Sequence, residues 1–143
     1  MIDSKPKNYE ELKKKAQDLT SWRNRSAAIK ELSKYNHKSV KDILWRMMIS
    51  DKVYSVQESA FRALQAMGEK VKLPKKKKGN IISDMNKKLS KVKNSLPEEH
   101  SFEQFKIELK KVDLRLYDVI EGDKGKKTDE FLENIWKSLP KKK

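Results

Sequence analysis

Residues 21–68 read SWRNRSAAIKELSKYNHKSVKDILWRMMISDKVYSVQESAFRALQAMG. One helical pattern occurs twice in this stretch, 32 residues apart. At that offset Trp22 aligns with Tyr54, Ala28 with Ala60, Ile29 with Phe61, Lys30 with Arg62 and Leu32 with Leu64. A fixed period of about 20 to 50 residues marks supersecondary units that stack on one another. In the first copy Trp22, Arg25, Ala28, Ile29 and Leu32 share one helical face, which predicts a helix over 22–35 capped by Ser21 and ended by Asn36-His37. Ser39 is expected to cap a helix to residue 49, with Val40, Ile43, Leu44, Met47 and Met48 inward. Asp51 opens the next turn. The following helix, 54–67, carries Val56, Ala60, Phe61, Ala63, Leu64 and Met67, and Gly68 suits the left-handed position just past its end.

Working outward to the N-terminus, residues 8–18 form a further helix opened by Asn8, with Glu10 and Glu11 in the turn where the helix dipole favours acid. Leu12 aligns with Leu44 and Ala16 with Met48, so this helix is the first half of repeat one. Residues 1–7 are polar and expected to fray. The small Ala residues at the middle of the second and fourth helices allow neighbouring layers to approach closely. The pattern D-x-x-x-x-V-[RQ]-x-x-A-x-x-A-L-x-x-[MI]-G resembles HEAT repeats. It stands as Asp51, Val56, Gln57, Ala60, Ala63, Leu64, Met67 and Gly68, and the earlier copy as Asp18, Trp22, Arg25, Ala28 and Leu32. Gln57 replaces the usual Arg of the second copy, and the period is shorter than the usual HEAT length. The resemblance implies an all-α solenoid of antiparallel helix pairs over residues 8–68. It says little of function, because such repeats serve many unrelated scaffolds.

Toward the C-terminus, residues 69–80 (EKVKLPKKKKGN) read as a basic loop, with Pro74 as breaker and Gly79-Asn80 as a turn. Three additional helices are expected to cap the stack. The first covers 81–95 with Ile82, Met85, Leu89, Val92 and Leu96 apolar. The second covers 102–120, opened by a Ser101/Gln104 capping box. Its seam is Phe102, Phe105, Leu109, Val112, Leu116 and Val119, and the off-line Ile107, Leu114 and Ile120 suggest cover on more than one side. The third follows a loop at 122–125 and is capped by Thr128, with Phe131, Leu132, Ile135, Trp136 and Leu139 apolar and Pro140 as its stop.

Composition narrows the function classes. The 143 residues hold no Cys, which excludes disulfides, thiolate nucleophiles and Cys-based zinc sites. The two histidines, His37 and His100, lie in expected turns and lack metal-ligand spacing. Phosphate-cradling glycine loops are missing, and the segment 118–130 (DVIEGDKGKKTDE) lacks the ligand spacing of a calcium loop. We therefore expect no catalytic residue, no cofactor, no metal and no small-molecule substrate. No apolar run reaches membrane-spanning length and the first residues lack a signal-peptide core, so the expectation is a cytoplasmic protein without a membrane role.

The net charge of +14 attracts anionic partners. Two readings stay open. A helical repeat array binds proteins, and here the partner would be acidic, with Trp45 as the leading hot-spot residue. Alternatively, a basic concave face binds the phosphate backbone of nucleic acid. Either partner would meet Arg23, Lys30, Lys34 and Arg62 on the inner helices and Lys75, Lys76, Lys77 and Lys78 in the loop. For nucleic acid the whole run from Lys70 to Lys78, with Lys87, Lys88 and Lys91, would extend that surface. Thirty of the 35 basic residues are Lys, whereas base reading favours Arg.

Overall fold

The computed structural model describes residues 1–76 and 84–139. The chain is all-helical and divides into two compact units, Met1–Lys77 and Lys78–Lys143. Each unit encloses its own hydrophobic core. No described helix is long and apolar enough to cross a membrane. The expected turn at Gly79-Asn80, the apolar Ile82 and the stop at Pro140 lie outside the described residues, as do Lys77 and Lys78.

The N-terminal unit contains α1 (Tyr9–Ala16), α2 (Trp22–Leu32), α3 (Lys38–Ser50) and α4 (Tyr54–Ala66). Helix α1 packs on α2, α3 on α4, and α2 beside α4. Ala28 and Ala60, with no exposed surface, stand in this core beside Leu32, Leu44, Met48 and Val56. The caps explain where the helices begin. Ser21 accepts from the Asn24 N–H at 3.1 Å, as expected. At α3 the cap is His37 rather than Ser39: its Nδ1 accepts from the Ser39 N–H at 3.1 Å, and Ser39 becomes helical. Asn8 holds the cap position of α1 without a side-chain cap bond. Past α4, Gly68 takes φ +85°. The Glu69 N–H then reaches the Leu64 carbonyl at 3.0 Å and the Gly68 N–H reaches Gln65 at 2.9 Å, which satisfies two carbonyls of the last turn.

Residues 1–7 are held rather than frayed. The Ile2 N–H donates to the Lys34 carbonyl at 2.9 Å, the Ile2 carbonyl accepts from the Asn36 N–H at 2.6 Å, and Pro6 is buried. The free backbone just past α2 supplies both partners.

One polar group is built into this core. Arg25, 2% exposed, donates from Nε to Asp51 Oδ2 at 2.8 Å, from Nη2 to Asp51 Oδ1 at 3.2 Å, and from Nη1 to the Asp18 carbonyl at 2.8 Å. Asp51 also accepts the Val53 N–H at 2.9 Å, which positions the start of α4. A buried guanidinium is tolerated because its fork meets a carboxylate and a carbonyl together. Arg25 thereby joins the α1–α2 turn to the α3–α4 turn. At the corresponding place in the second copy, Gln57 only donates to the Ile49 carbonyl at 3.2 Å.

The C-terminal unit contains α5 (Met85–Asn94), α6 (Phe102–Val112), α7 (Leu114–Lys124) and α8 (Thr128–Ser138), with a 3-10 turn at Gly125–Lys127. The single helix expected over 102–120 is two helices, so among the described residues four follow the basic segment instead of three. Asp113 causes the break. Its N–H closes α6 on the Leu109 carbonyl at 2.9 Å, and its carboxylate opens α7 by accepting the Leu116 N–H at 3.1 Å. Val112 is 58% exposed and Ile107 and Leu114 are exposed too, while Phe105, Leu109, Leu116 and Ile120 stay inside. The loop expected at 122–125 is mostly the end of α7, which stops at Gly125 with φ +56°. Thr128 is the first residue of α8, and its hydroxyl donates to the Gly125 carbonyl at 2.6 Å.

Around this core Phe102, Phe105, Trp136 and His100 form a chain of ring contacts, centroids 5.6 to 6.4 Å apart. The Trp136 indole N–H donates to His100 Nε2 at 3.0 Å. Lys93 donates to the Trp136 and Leu139 carbonyls at 2.6 and 2.9 Å, placing a cation at the C-terminus of α8 where the dipole favours it. Lys106 meets Asp129 at 2.7 Å, a bond that raises the ammonium pKa.

Candidate protein-binding surface

Helix α3 buries Val40, Ile43, Leu44, Met47 and Met48 and turns Lys38, Asp42, Trp45 and Ile49 outward. The spacing of these four, 4-3-4, is one helical stripe. Trp45 and Ile49 are each 49% exposed, so this stripe has an apolar half that no core residue covers. Beside it lies an open groove of about 400 Å³ lined by Asn36, Lys38, Lys41, Asp42, Trp45, Leu64 and Glu69. Across it Lys41 holds Glu69 at 2.7 Å. A large indole left half in water, with cations and carboxylates at its rim, has the composition of an interface hot spot.

Glu69 also lines a second hollow with Gln65, Gly68, Lys70, Val71 and Lys72. The expected loop is anchored here. Val71 and Leu73 are partly buried against the N-terminal core, while Lys70, Lys72, Lys75 and Lys76 are exposed. Burial alternates along 70–73, as it does in an extended chain with one face packed. The sequence carries that signal as a period of two, KVKL, hidden within a lysine-rich run.

The expected basic stripe on the inner helices is interleaved with acid. Arg23 and Lys30 are exposed on α2, and the Arg23 guanidinium lies 4.6 Å from the centroid of the Trp22 ring. Lys34 lies beyond the last residue of α2, so the helical spacing that grouped it with Arg23 and Lys30 does not govern it. It pairs with Glu31 at 3.2 Å, and Arg62 on α4 stands 3.8 Å from Glu58. Of the residues named from sequence, Trp45, Lys75 and Lys76 thus lie at or after the α3 surface, and Arg23, Lys30, Lys34 and Arg62 belong to a mixed-charge face. Lys70 and Lys72 belong to the basic run already expected to extend the binding surface, whereas Lys38, Lys41, Ile49 and Glu69 were not named from the sequence.

Among the described residues no group of three or more His, Asp or Glu is placed to hold a metal ion. The Tyr117 phenol is pushed up, first by burial and then by the neighbouring Glu121 carboxylate, which accepts its hydrogen bond at 3.4 Å. Compared with known proteins, the chain matches no family model, no curated protein and no solved structure.

Proposed function

We propose that the chain is a non-catalytic, HEAT-like helical-repeat module that binds an acidic protein partner through the outward face of α3. In this reading α1–α2 and α3–α4 are two stacked antiparallel pairs of a short solenoid, joined by Arg25. Trp45 carries the proposal: a half-exposed indole beside Ile49 on a regular helix, bordering a groove, is costly in water unless something covers it. The second reading, contact with a phosphate backbone, draws on the exposed row Lys70, Lys72, Lys75 and Lys76. The acids interleaved with Arg62 and Lys34 count against a continuous phosphate track on the inner helices.

The test is paired. Wild-type and Trp45→Ala proteins are used to capture partners, and both are titrated with mixed duplex DNA, single-stranded DNA and RNA in mobility-shift assays across a salt series. The expected result is a protein partner retained by wild type and lost from Trp45→Ala. Tight nucleic-acid binding that falls steeply with salt, and weakens when Lys75 and Lys76 become Gln, would overturn the proposal in favour of the second reading.

A further inference from the structure

The two hollows that share Glu69 hold more information than a generic docking face. We infer that this surface takes one short acidic peptide segment, with an apolar anchor residue against Trp45 and Ile49 and carboxylates at alternate positions along Lys70 and Lys72. The inference rests on the protein-binding reading of the same surface and specifies its ligand.

Charge complementarity sets the sign. Residues 1–77 hold 19 basic and 9 acidic side chains, against 16 and 12 in residues 78–143. Along the two hollows Lys38, Lys70 and Lys72 are exposed cations, opposed by Asp42 and by Glu69, which Lys41 already engages. Spacing sets the pattern. Alternate side chains on an extended strand lie roughly 6 to 7 Å apart, so lysines at 70 and 72 match acids at alternate positions of an extended partner segment. Val71 and Leu73, partly buried against the core, anchor the backbone that carries the two lysines. A ligand therefore meets cations already held on an ordered backbone, at less entropic cost than on a free loop. The apolar pair at 45 and 49 completes the site, because charge alone would give steering with little specificity.

The probes are two fluorescein-labelled synthetic peptides of equal net charge and a labelled oligothymidylate. One peptide alternates Glu and Ser after a Phe-Leu anchor; the other replaces the anchor with Ser-Ser. Fluorescence anisotropy is expected to show the anchored peptide binding at least about tenfold more tightly. Trp45→Ala should erase that difference. Lys70→Glu with Lys72→Glu should weaken the anchored peptide about tenfold or more, with helical circular dichroism unchanged, since all three side chains are exposed. Equal binding of the two peptides to wild type overturns the inference, and so does tighter binding of oligothymidylate that depends on Trp45. If a captured protein partner depends on Trp45 while the anchored peptide fails to bind, the inference falls and the protein-binding reading stands. If neither binds, both fall.

Discussion

The two units solve the same problem, burying apolar faces of short helices, with different materials. The N-terminal unit repeats one pattern, fills its core with aliphatic residues and alanines, and threads a buried Arg25–Asp51 pair between two turns. The C-terminal unit shows no such repeat. Its core adds a ring cluster and is held at its end by Lys93 and the Trp136–His100 bond. Charge divides the same way, net +10 for residues 1–77 and +4 for residues 78–143. Repetition makes one turn contact serve two helix pairs, so the N-terminal unit depends on few polar residues. An irregular unit has to specify each helix end separately.

The strongest test of that contrast is Arg25→Ala. It leaves the Asp51 carboxylate inside the core without its cation, which is expected to cost about 3 to 5 kcal/mol in urea unfolding. Gln57→Ala, at the equivalent place of the second copy, loses only a hydrogen bond to Ile49 and should cost about 1 kcal/mol or less. Similar costs for the two variants would show that the Arg25 pair does not distinguish the copies.

For the C-terminal unit the matching change is Asp113→Ala, which removes the cap that opens α7. The expected loss is about 1 kcal/mol, seen as a lower melting temperature and faster amide exchange at Leu116. Unchanged stability with a straight helix through residue 113 would mean that Asp113 alone enforces a break the packing does not need. Unchanged stability with the break intact would assign it to packing of Leu109 and Leu116.

These helix ends also show what could be read from the chain. The four helices of the N-terminal unit were legible because the apolar period and the alignment at 32 residues agree, with Ser21 the one expected side-chain cap that forms. The break at Asp113 was not. Val112, Leu116 and Val119 continue the three-and-four spacing of Phe105 and Leu109, so the seam looks unbroken although Val112 is exposed. The His37 cap escaped notice because Ser39 is the commoner capping residue. For the site, Trp45 was legible as an aromatic off the buried line. The lysines at 70 and 72 were legible as part of a basic run, but their alternation with the packed Val71 and Leu73 was not, because a pattern of four residues is too short to stand out from the surrounding charge. The pairing of Lys34 with Glu31 depends on where α2 stops, a boundary that sequence periodicity places only within a few residues.

The smallest expected effect separates the units by pH. Asp18 in the α1–α2 turn has its carboxyl held below its usual 3.8, first by the Thr20 hydroxyl, then by the Asn24 amide and the Thr20 N–H. Its folded pKa is lowered, so its contribution is fully present above 3.8 and is lost as pH falls through 3.8 to the lower folded value. Lys106 in the C-terminal unit has the opposite sign. Its folded pKa is raised, so the contribution of the Asp129 bond is present below 10.5 and lost only as pH rises beyond it. Asp18→Asn should therefore be less stable than wild type near neutral pH, with the gap closing in acid as the wild-type carboxyl takes up its proton. Urea midpoints measured from neutral to acid pH check this. A gap that stays constant down to the acid limit would mean that Asp18 acts through the shape of its turn and not through its charge.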